Sequence, residues 1–351
     1  MSNMAKMIDV TIEDVATASG VSRQTVSRVI NRSPNVKEAV RERVSAAIEQ
    51  LGYVPNLSAR RMGGGRSFLI LAINDRQRTI ENWTAGRGND WVDQMLFGGM
   101  TECERHGYHL VFELIDTDTA HSARQLSNVL ASLRPDGVIL TPPHCDNLEL
   151  TGVLAERNIP CARVGHSEGL GYVDVYMDEE GAAHAATTQL INMGHRRIAF
   201  IAGAPNYGNS ARRLSGFYQA LSASGLGETA GSVGNGDFHF DTAVNVIEAM
   251  LSVENRPTAF IADNDAMAFA ALHVASRFGL RVPEDVSIVS FEDTPGVRFS
   301  VPPLTAIRQP TAAMIAKACE KLIALSKGEN AFGSYPLPFD LVIRESTGTP
   351  V

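Results

Sequence analysis

Residues 11–31 read T-I-E-D-V-A-T-A-S-G-V-S-R-Q-T-V-S-R-V-I-N, from Thr11 to Asn31. Thr11 is placed to cap a helix, with Asp14 three residues on as an abbreviated capping box. Ile12, Val15 and Ala16 then share one face, and Gly20 supplies the positive-φ residue that ends the helix. Ser22 can cap a second helix, in which Val26, Val29 and Ile30 form the buried stripe. A rotation of about 100° per residue sends Gln24, Ser27, Arg28 and Asn31 to the opposite face, with Arg23 at its N-terminal shoulder. A third helix, about 38–51, buries Val40, Val44, Ala47, Ile48 and Leu51 and closes a three-helix core. Two short helices across a tight turn suit insertion of one of them into the major groove of DNA. Arg can fork onto guanine O6/N7, Gln can pair with adenine N6/N7, and Ser and Asn can hold phosphates. The same side chains would equally make an ordinary solvated helix face.

Working outward, 351 residues call for two or three compact units. A hydrophobic fraction of 44% with 20% charged residues describes a chain with sizeable cores. Apolar runs such as 68–73 and 198–202 are far too short to cross a bilayer, and the first ten residues lack an apolar signal core. Cytoplasmic residence without a membrane partner is the expectation. Cys103, Cys145, Cys161 and Cys319 show no paired spacing, so reduced thiols and neither metal nor cofactor are expected. The net charge of −8 is unevenly spread: residues 1–65 hold nine basic and six acidic side chains, the remainder 22 and 33. A small basic head on an acidic body confines phosphate attraction to one end of the chain.

The head resembles that of the LacI/GalR family of transcription factors. The residues that carry the resemblance are Thr11-Ile12-x-Asp14-Val15-Ala16, Val21-Ser22-x-x-Thr25-Val26-Ser27-Arg28-Val29-x-Asn31 and Leu51-Gly52-Tyr53-x-Pro55-Asn56-x-x-Ala59-Arg60. The resemblance implies that Arg23 and Gln24 are the main base-reading pair and Arg28 a further groove residue. Thr11, Ser22, Ser27, Asn31, Asn56 and Ala59 complete the DNA-facing set. It also implies that residues 56–61 form a hinge, helical on the operator, and that the next residue wedges into the minor groove and kinks the duplex. Most relatives carry Leu at that position and this chain carries Met62, which is apolar and long but more flexible. Gly63-Gly64-Gly65 reads as a spacer.

Beyond residue 66, β-rich runs alternate with helical ones. Strands are predicted at 68–73, 109–115, 137–141, 160–164, 197–202, 258–262, 286–290 and, last, 337–343; helices lie between, for example 181–193 and 264–278. This alternation predicts parallel sheets covered on both faces, in an α/β body too long for one sheet. Two doubly wound lobes follow, with ligand outside the carboxyl ends of their strands. The family resemblance continues through Gly194-His195-x-x-Ile198-Ala199-Phe200-Ile201-x-Gly203, Arg213-x-x-Gly216-Phe217, Asn264-Asp265-x-Met267-Ala268, Phe291-Glu292-Asp293 and Pro302-Pro303-Leu304-Thr305-x-x-Arg308-Gln309-Pro310. It implies a helix-turn-helix domain (1–55), a hinge and glycine linker (56–65) and a periplasmic-binding-protein-like core (66–351). Crossovers near 175, 309 and 336 would give a first lobe of 66–174 plus 310–336 and a second of 175–309 plus 337–351.

In sugar-responsive relatives an Arg, an Asn and an acid hold the effector, and they fall here on Arg213, Asn264 and Glu292. Arg and Asn donate to ring and hydroxyl oxygens while a carboxylate accepts from two hydroxyls. The family usually has Asp where Glu292 stands. Two other readings stay open: Arg213 and Glu292 could form a surface ion pair, and Asn264 could cap the helix that follows it. Trp83, in a long loop 74–90, is either a stacking platform for a sugar or an anchor for the loop, and Trp91 is expected to pack on its own lobe. His195 reads as structural and Asp178-Glu179-Glu180 as an acidic helix start.

The function expected is a homodimeric repressor of carbohydrate-utilisation genes on a pseudo-palindromic double-stranded DNA operator, released by a sugar or glycoside. A corepressor-dependent regulator responding to a non-sugar metabolite, or a binding protein without regulatory output, are the alternatives. Enzyme motifs are missing: no phosphate-binding glycine loop, nucleophile elbow or metal-ligand cluster is visible. Residues 345–351 contain no heptads, so a dimer built from the first lobes is expected rather than a coiled-coil tetramer.

Overall fold

The computed structural model describes residues 10–30, 33, 35–53, 66–165, 171–227 and 231–350. The chain divides into two units, Met1–Phe68 and Leu69–Val351. In the first, α1 (Ile12–Ser19), α2 (Arg23–Ile30) and α3 (Glu38–Leu51) pack around Val15, Val26 and Val44, with Val29, Ala47 and Tyr53 at the margin. The capping box at the start of α1 is complete. Thr11 Oγ1 accepts from the Asp14 N–H at 3.3 Å and the Asp14 carboxylate accepts from the Thr11 N–H at 2.8 Å. Gly20 ends α1 at a φ of 64°, where an L side chain would be strained, and the chain can turn at once into α2. Ser22 Oγ accepts from the Thr25 N–H at 3.2 Å, as expected of its capping position. Asn31, Asn56, Ala59, Met62 and Gly63 to Gly65 lie outside the described residues.

The second unit holds two six-stranded sheets, each the centre of one lobe. The first contains β1 (Leu69–Asp75), β2 (His109–Ile115), β3 (Gly137–Leu140), β4 (Cys161–Val164), β5 (Val173–Met177) and β11 (Gly333–Leu337). Their order is β11-β5-β4-β3-β1-β2, and every pair is parallel. The second contains β6 (Ile198–Ala202), β7 (Gly231–Asn235), β8 (Ala259–Ala262), β9 (Ser287–Glu292), β10 (Thr305–Arg308) and β12 (Asp340–Val342), ordered β12-β10-β9-β8-β6-β7. Here β12 runs antiparallel to β10, the one departure from a parallel arrangement among the described strands. The connecting helices are α4 (Arg76–Thr84), α5 (Asp90–Arg105), α6 (Thr119–Leu133), α7 (Leu148–Glu156), α8 (Glu179–Asn192), α9 (Gly208–Ala223), α10 (Phe240–Leu251), α11 (Asp265–Arg277), α12 (Pro295–Phe299) and α13 (Thr311–Ser326).

Continuous apolar runs become the central strands because helices cover both faces: all seven residues of β1 are buried. Two glycines set how closely helices approach. A Cβ at Gly98 of α5 would lie 2.0 Å from the Ala312 carbonyl of α13, and one at Gly216 of α9 would lie 2.0 Å from the Glu180 carbonyl of α8. The first contact docks the returning segment α13 onto the first lobe, where it also packs on β3, β4 and β5.

Several sequence expectations change. The expected crossovers near 175 and 336 fall inside β5 and β11, both of which pair wholly within the first sheet. The predicted last strand, 337–343, is two strands: Gly333–Leu337 closes the first sheet and Asp340–Val342 the second. Its apolar residues straddle the passage between lobes, so hydropathy joins what topology separates. Residues 74–90 are not a loop. Asp75 Oδ1 accepts from the Arg78 N–H at 3.1 Å, capping α4 immediately after β1.

Candidate functional site

The order of each sheet reverses beside β1 and β6, and the chain leaving those strands opens a crevice at their carboxyl ends. Asn74 and Asp75 end β1, Tyr207 and Asn209 follow β6, Asp263 and Asn264 follow β8, and Glu292 ends β9. These residues, with Arg78, Trp91, Arg213 and Phe238, line a cavity of about 120 Å³ between the lobes. A neighbouring cavity of about 190 Å³ shares Trp91, Glu292 and Gln309 with it, so the crevice continues past that point. Four non-glycine residues with positive φ flank the crevice: Asp237, Phe238, Glu292 and Asp293, at 52°, 56°, 106° and 60°. Such backbone persists only where its surroundings over-determine it.

Arg213, Asn264 and Glu292, expected from different motifs, therefore converge on one cavity. Arg213 is not a surface residue and does not pair with Glu292. It is 1% exposed; its Nε donates to Glu179 Oε2 at 2.6 Å, and its Nη1 to Asp263 Oδ1 at 2.7 Å and the Asp263 carbonyl at 2.8 Å. The guanidinium lies over the Phe291 ring at 4.5 Å. With Nε and Nη1 taken, Nη2 is the donor left for a ligand. Glu179, read from sequence as part of an acidic helix start, is a buried counter-ion, while its neighbour Asp178 does cap α8 through the Gly181 N–H at 2.8 Å.

Asn264 fulfils both of its readings. Its Oδ1 caps α11 by accepting from the Met267 N–H at 2.9 Å, its Nδ2 donates to the Phe238 carbonyl at 3.1 Å, and it lines the cavity. Glu292 Oε2 accepts from the Asp265 N–H at 3.4 Å. Burial, reinforced by the neighbouring Asp265 carboxylate, pushes the Glu292 carboxyl up to about 8. Asp265, chiefly through its own burial, is pushed up to about 6. The raised carboxyl takes up a proton more readily than a free one, and in that form Glu292 can donate as well as accept.

Of the two tryptophans, Trp91 lines the cleft, at the start of α5. Trp83 stands 47% exposed on α4, edge-on to Phe112 at 6.4 Å, and is not among the lining residues. The cleft aromatics are Trp91, Tyr207 and Phe238; the assignment to Trp83 assumed a loop where helix α4 turns the ring outward. Nothing in the sequence marked Asp75, Arg78 or Tyr207. Tyr207 of the second lobe donates to Asp75 Oδ2 of the first at 2.7 Å. Arg78 of the first lobe donates to the Asp237 carbonyl at 2.8 Å and to Asp237 Oδ1 at 3.2 Å. Two residues of the cavity lining, Arg78 and Asn209, carry a buried polar atom without a hydrogen-bond partner, Nε and Oδ1 respectively. His195 has both ring nitrogens engaged, by Thr258 at 2.9 Å and by Ser287 and the Gly348 carbonyl at 3.1 and 2.9 Å, and is structural as expected.

In the head, Arg23, Gln24 and Arg28 are exposed on α2, as are Thr11 and Ser22, while Ser27 is half-buried. Arg23 Nη1 pairs with Glu13 Oε1 of α1 at 3.0 Å, a contact the helix face alone does not reveal. Among the described residues, no group of three or more His, Cys, Asp and Glu is arranged to hold a metal, and no helix is long and apolar enough to cross a membrane.

Residues 11–56 match the family described as bacterial regulatory proteins, lacI family, and residues 187–347 match the periplasmic binding protein-like domain. The HTH-type transcriptional regulator CelR of Thermobifida fusca is 34% identical over 345 residues, 96% of this chain and 98% of that one. A solved complex of transcriptional regulator CelR with cellobiose superposes with a TM-score of 0.69 at 32% identity, covering 96% and 99% of the two chains. The lac repressor dimer bound to operator and the anti-inducer ONPF gives a TM-score of 0.80 at 28% identity, over 97% and 99%.

Proposed function

The chain belongs to the lacI family of bacterial regulatory proteins, and from that premise we propose that it is a cytoplasmic repressor of carbohydrate-utilisation genes, released from its operator by a neutral sugar or glycoside. Membership makes it a DNA-binding regulator and not an enzyme. Arg23 and Gln24 read base edges, with Arg28 as a further groove contact, and the exposure of all three on α2 supports this. Two heads on a homodimer would meet a pseudo-palindrome. Phe97 and Met100 of α5, 65% and 58% exposed, are the apolar surface that supports pairing through the first lobe.

The charge state of the cleft carries the sugar reading. Arg213 is already balanced by Glu179 and Asp263, and Arg78 by Asp237, so the first cavity offers no uncompensated cation to an anionic metabolite. Two of its lining residues carry a buried atom without a partner, a donor in Arg78 Nε and an acceptor in Asn209 Oδ1, beside Arg213, Asn264 and Glu292. Hydroxyl groups answer both needs, because each donates and accepts. Trp91 adds an aromatic wall of the kind that stacks on a pyranose. The crevice extends beyond Trp91 and Glu292, which suits a second ring, and CelR, one of the relatives solved in complex, holds cellobiose. Binding releases the operator only if the ligand prefers one arrangement of the lobes over the other.

The test is fluorescence anisotropy on an operator selected from random duplexes, with mono- and disaccharides added, cellobiose among them. One sugar should raise the protein concentration for half-saturation at least about tenfold, a coupling of roughly 1.4 kcal/mol. Release by an anionic metabolite, with none by any neutral sugar, would reject the sugar reading.

A further inference from the structure

We propose that Arg78 is the residue through which the bound effector sets the closure of the two lobes, one edge of its guanidinium serving the ligand and the other the opposite lobe. The proposal rests on the sugar reading above. Arg78 enters the cleft from the first turn of α4, and that turn is fixed by Asp75, whose Oδ1 caps it and whose Oδ2 accepts from Tyr207 of the second lobe. The guanidinium reaches into the second lobe and lies 5.2 Å from both the Tyr207 and Phe238 ring centroids. Its Nη1 and Nη2 take the carbonyl and carboxylate of Asp237. Nε, on the other edge of the same plane, is buried without a partner on a side chain that lines the cavity.

These donors are not independent. A guanidinium is planar and rigid, so whatever fixes the direction of Nε fixes the directions of Nη1 and Nη2 as well. A hydroxyl or ring oxygen accepting from Nε would lock the plane that holds Asp237. The acceptor side is equally stiff: Asp237 and Phe238 both sit at positive φ, and the Asp237 N–H is tied to Asn235 Oδ1 at 3.0 Å. The Phe238 ring lies where a Cβ at residue 203 would stand, 2.0 Å from that position, so the turn has little freedom to follow a moving partner. Ligand and lobe contact therefore share one rigid group held between rigid neighbours, an arrangement in which filling one side stabilises the other. Two further contacts between lobes, Arg87 with Asp241 at 3.0 Å and Arg212 with the Gly165 carbonyl, do not touch the orphan atoms and hold closure without reading the ligand.

The test uses the full chain, with cellobiose and the other sugars of the screen as probes. Arg78→Lys keeps the charge and can still meet Asp237, but one ammonium cannot reproduce the planar fork. Affinity is read by calorimetry, and closure by the distance distribution between spin labels placed at Arg157→Cys in the first lobe and Glu254→Cys in the second. Arg78→Lys should weaken sugar binding by roughly ten- to a hundredfold, the range for a hydrogen bond to a charged group. It should also abolish the narrowing of the distribution that the sugar causes in the parent chain. Asp237→Ala, which leaves the backbone carbonyl, should weaken binding less and be non-additive with Arg78→Lys. Loss of affinity with narrowing intact would make Arg78 a ligand contact alone, and loss of narrowing with affinity intact a strut alone; either overturns the proposal. If the parent chain binds no neutral sugar, the sugar reading fails and takes this inference with it. If it binds sugar and Arg78→Lys is silent in both measurements, this inference fails by itself.

Discussion

Replacing Arg213 by Ala should destabilise the second lobe before it says anything about effector binding. The side chain is 1% exposed and stands between two carboxylates, Glu179 at 5% and Asp263 at 0%. Removing one member of a buried ion pair costs about 3–5 kcal/mol because the partner's charge is left uncompensated. Here two partners are left. Protonation sets a ceiling for each of them: neutralising an ordinary carboxylate at pH 7 costs about 4 kcal/mol. A loss of about 4 kcal/mol is expected, against a total stability of about 5–15 kcal/mol for a typical domain. Urea unfolding followed by circular dichroism measures it directly. Arg213→Met combined with Glu179→Gln and Asp263→Asn should recover at least half, since an uncharged group of similar volume removes the unpaired charges. A loss below about 1 kcal/mol for Arg213→Ala, or a triple variant no more stable than Arg213→Ala, would refute the buried-triad account. A missing sugar response in Arg213→Ala is interpretable only beside a folded, charge-neutral variant of this kind.

Two further outcomes follow from the geometry. Glu292 keeps its proton in the folded chain up to a pH of about 8, whereas the unfolded carboxyl releases it near 4.5. The folded state binds more protons between those limits, so its contribution to stability is full below about 4.5 and is lost as pH rises through 8. The Tm should therefore fall from pH 6 to 9 in the parent chain and fall less in Glu292→Gln; equal slopes would show that Glu292 is not the titrating group. In the head, Arg23→Ala or Gln24→Ala should flatten base selection at one operator position while leaving nonspecific binding within about threefold. Equal losses on operator and random duplex would remove both residues from base reading.

The head was legible almost to the residue because its signals are local. A cap at Thr11, a left-handed glycine at 20 and stripes of period 3.6 are written within eight-residue windows, and α3 begins and ends where its pattern does. In the body most strands were legible, the edge strand β2 among them, but the interior strands β5 and β10 and two of the edge strands were missed. Gly231–Asn235 and Gly333–Leu337 are edge strands with few apolar residues, and in neither does hydropathy alternate, so no periodicity marks them. At the site, Arg213, Asn264 and Glu292 were found through motifs that spacing alone would not have supplied. Their partners were not, because Glu179, Asp75 and Arg78 take their meaning from residues 34, 132 and 159 positions away. Trp83 was misplaced for the reverse reason: its neighbourhood looked like a loop, and a single carboxylate cap at Asp75 turned it into a helix.

The threefold passage of the chain between lobes governs the order in which the protein can come into being on the ribosome. The first lobe lacks α13 and β11 until residue 337 has emerged, and the second lacks β12. The second also waits for Ser346, whose hydroxyl bridges the Ile288 carbonyl and the Thr305 N–H, and for the Gly348 carbonyl that meets His195. Among the described residues, the core of the three-helix head lies between Val10 and Tyr53. Every nascent chain thus carries a finished DNA-reading module long before either half of its sensor can close. A premature stop anywhere in the body would leave the three-helix head attached to an incomplete ligand-binding core.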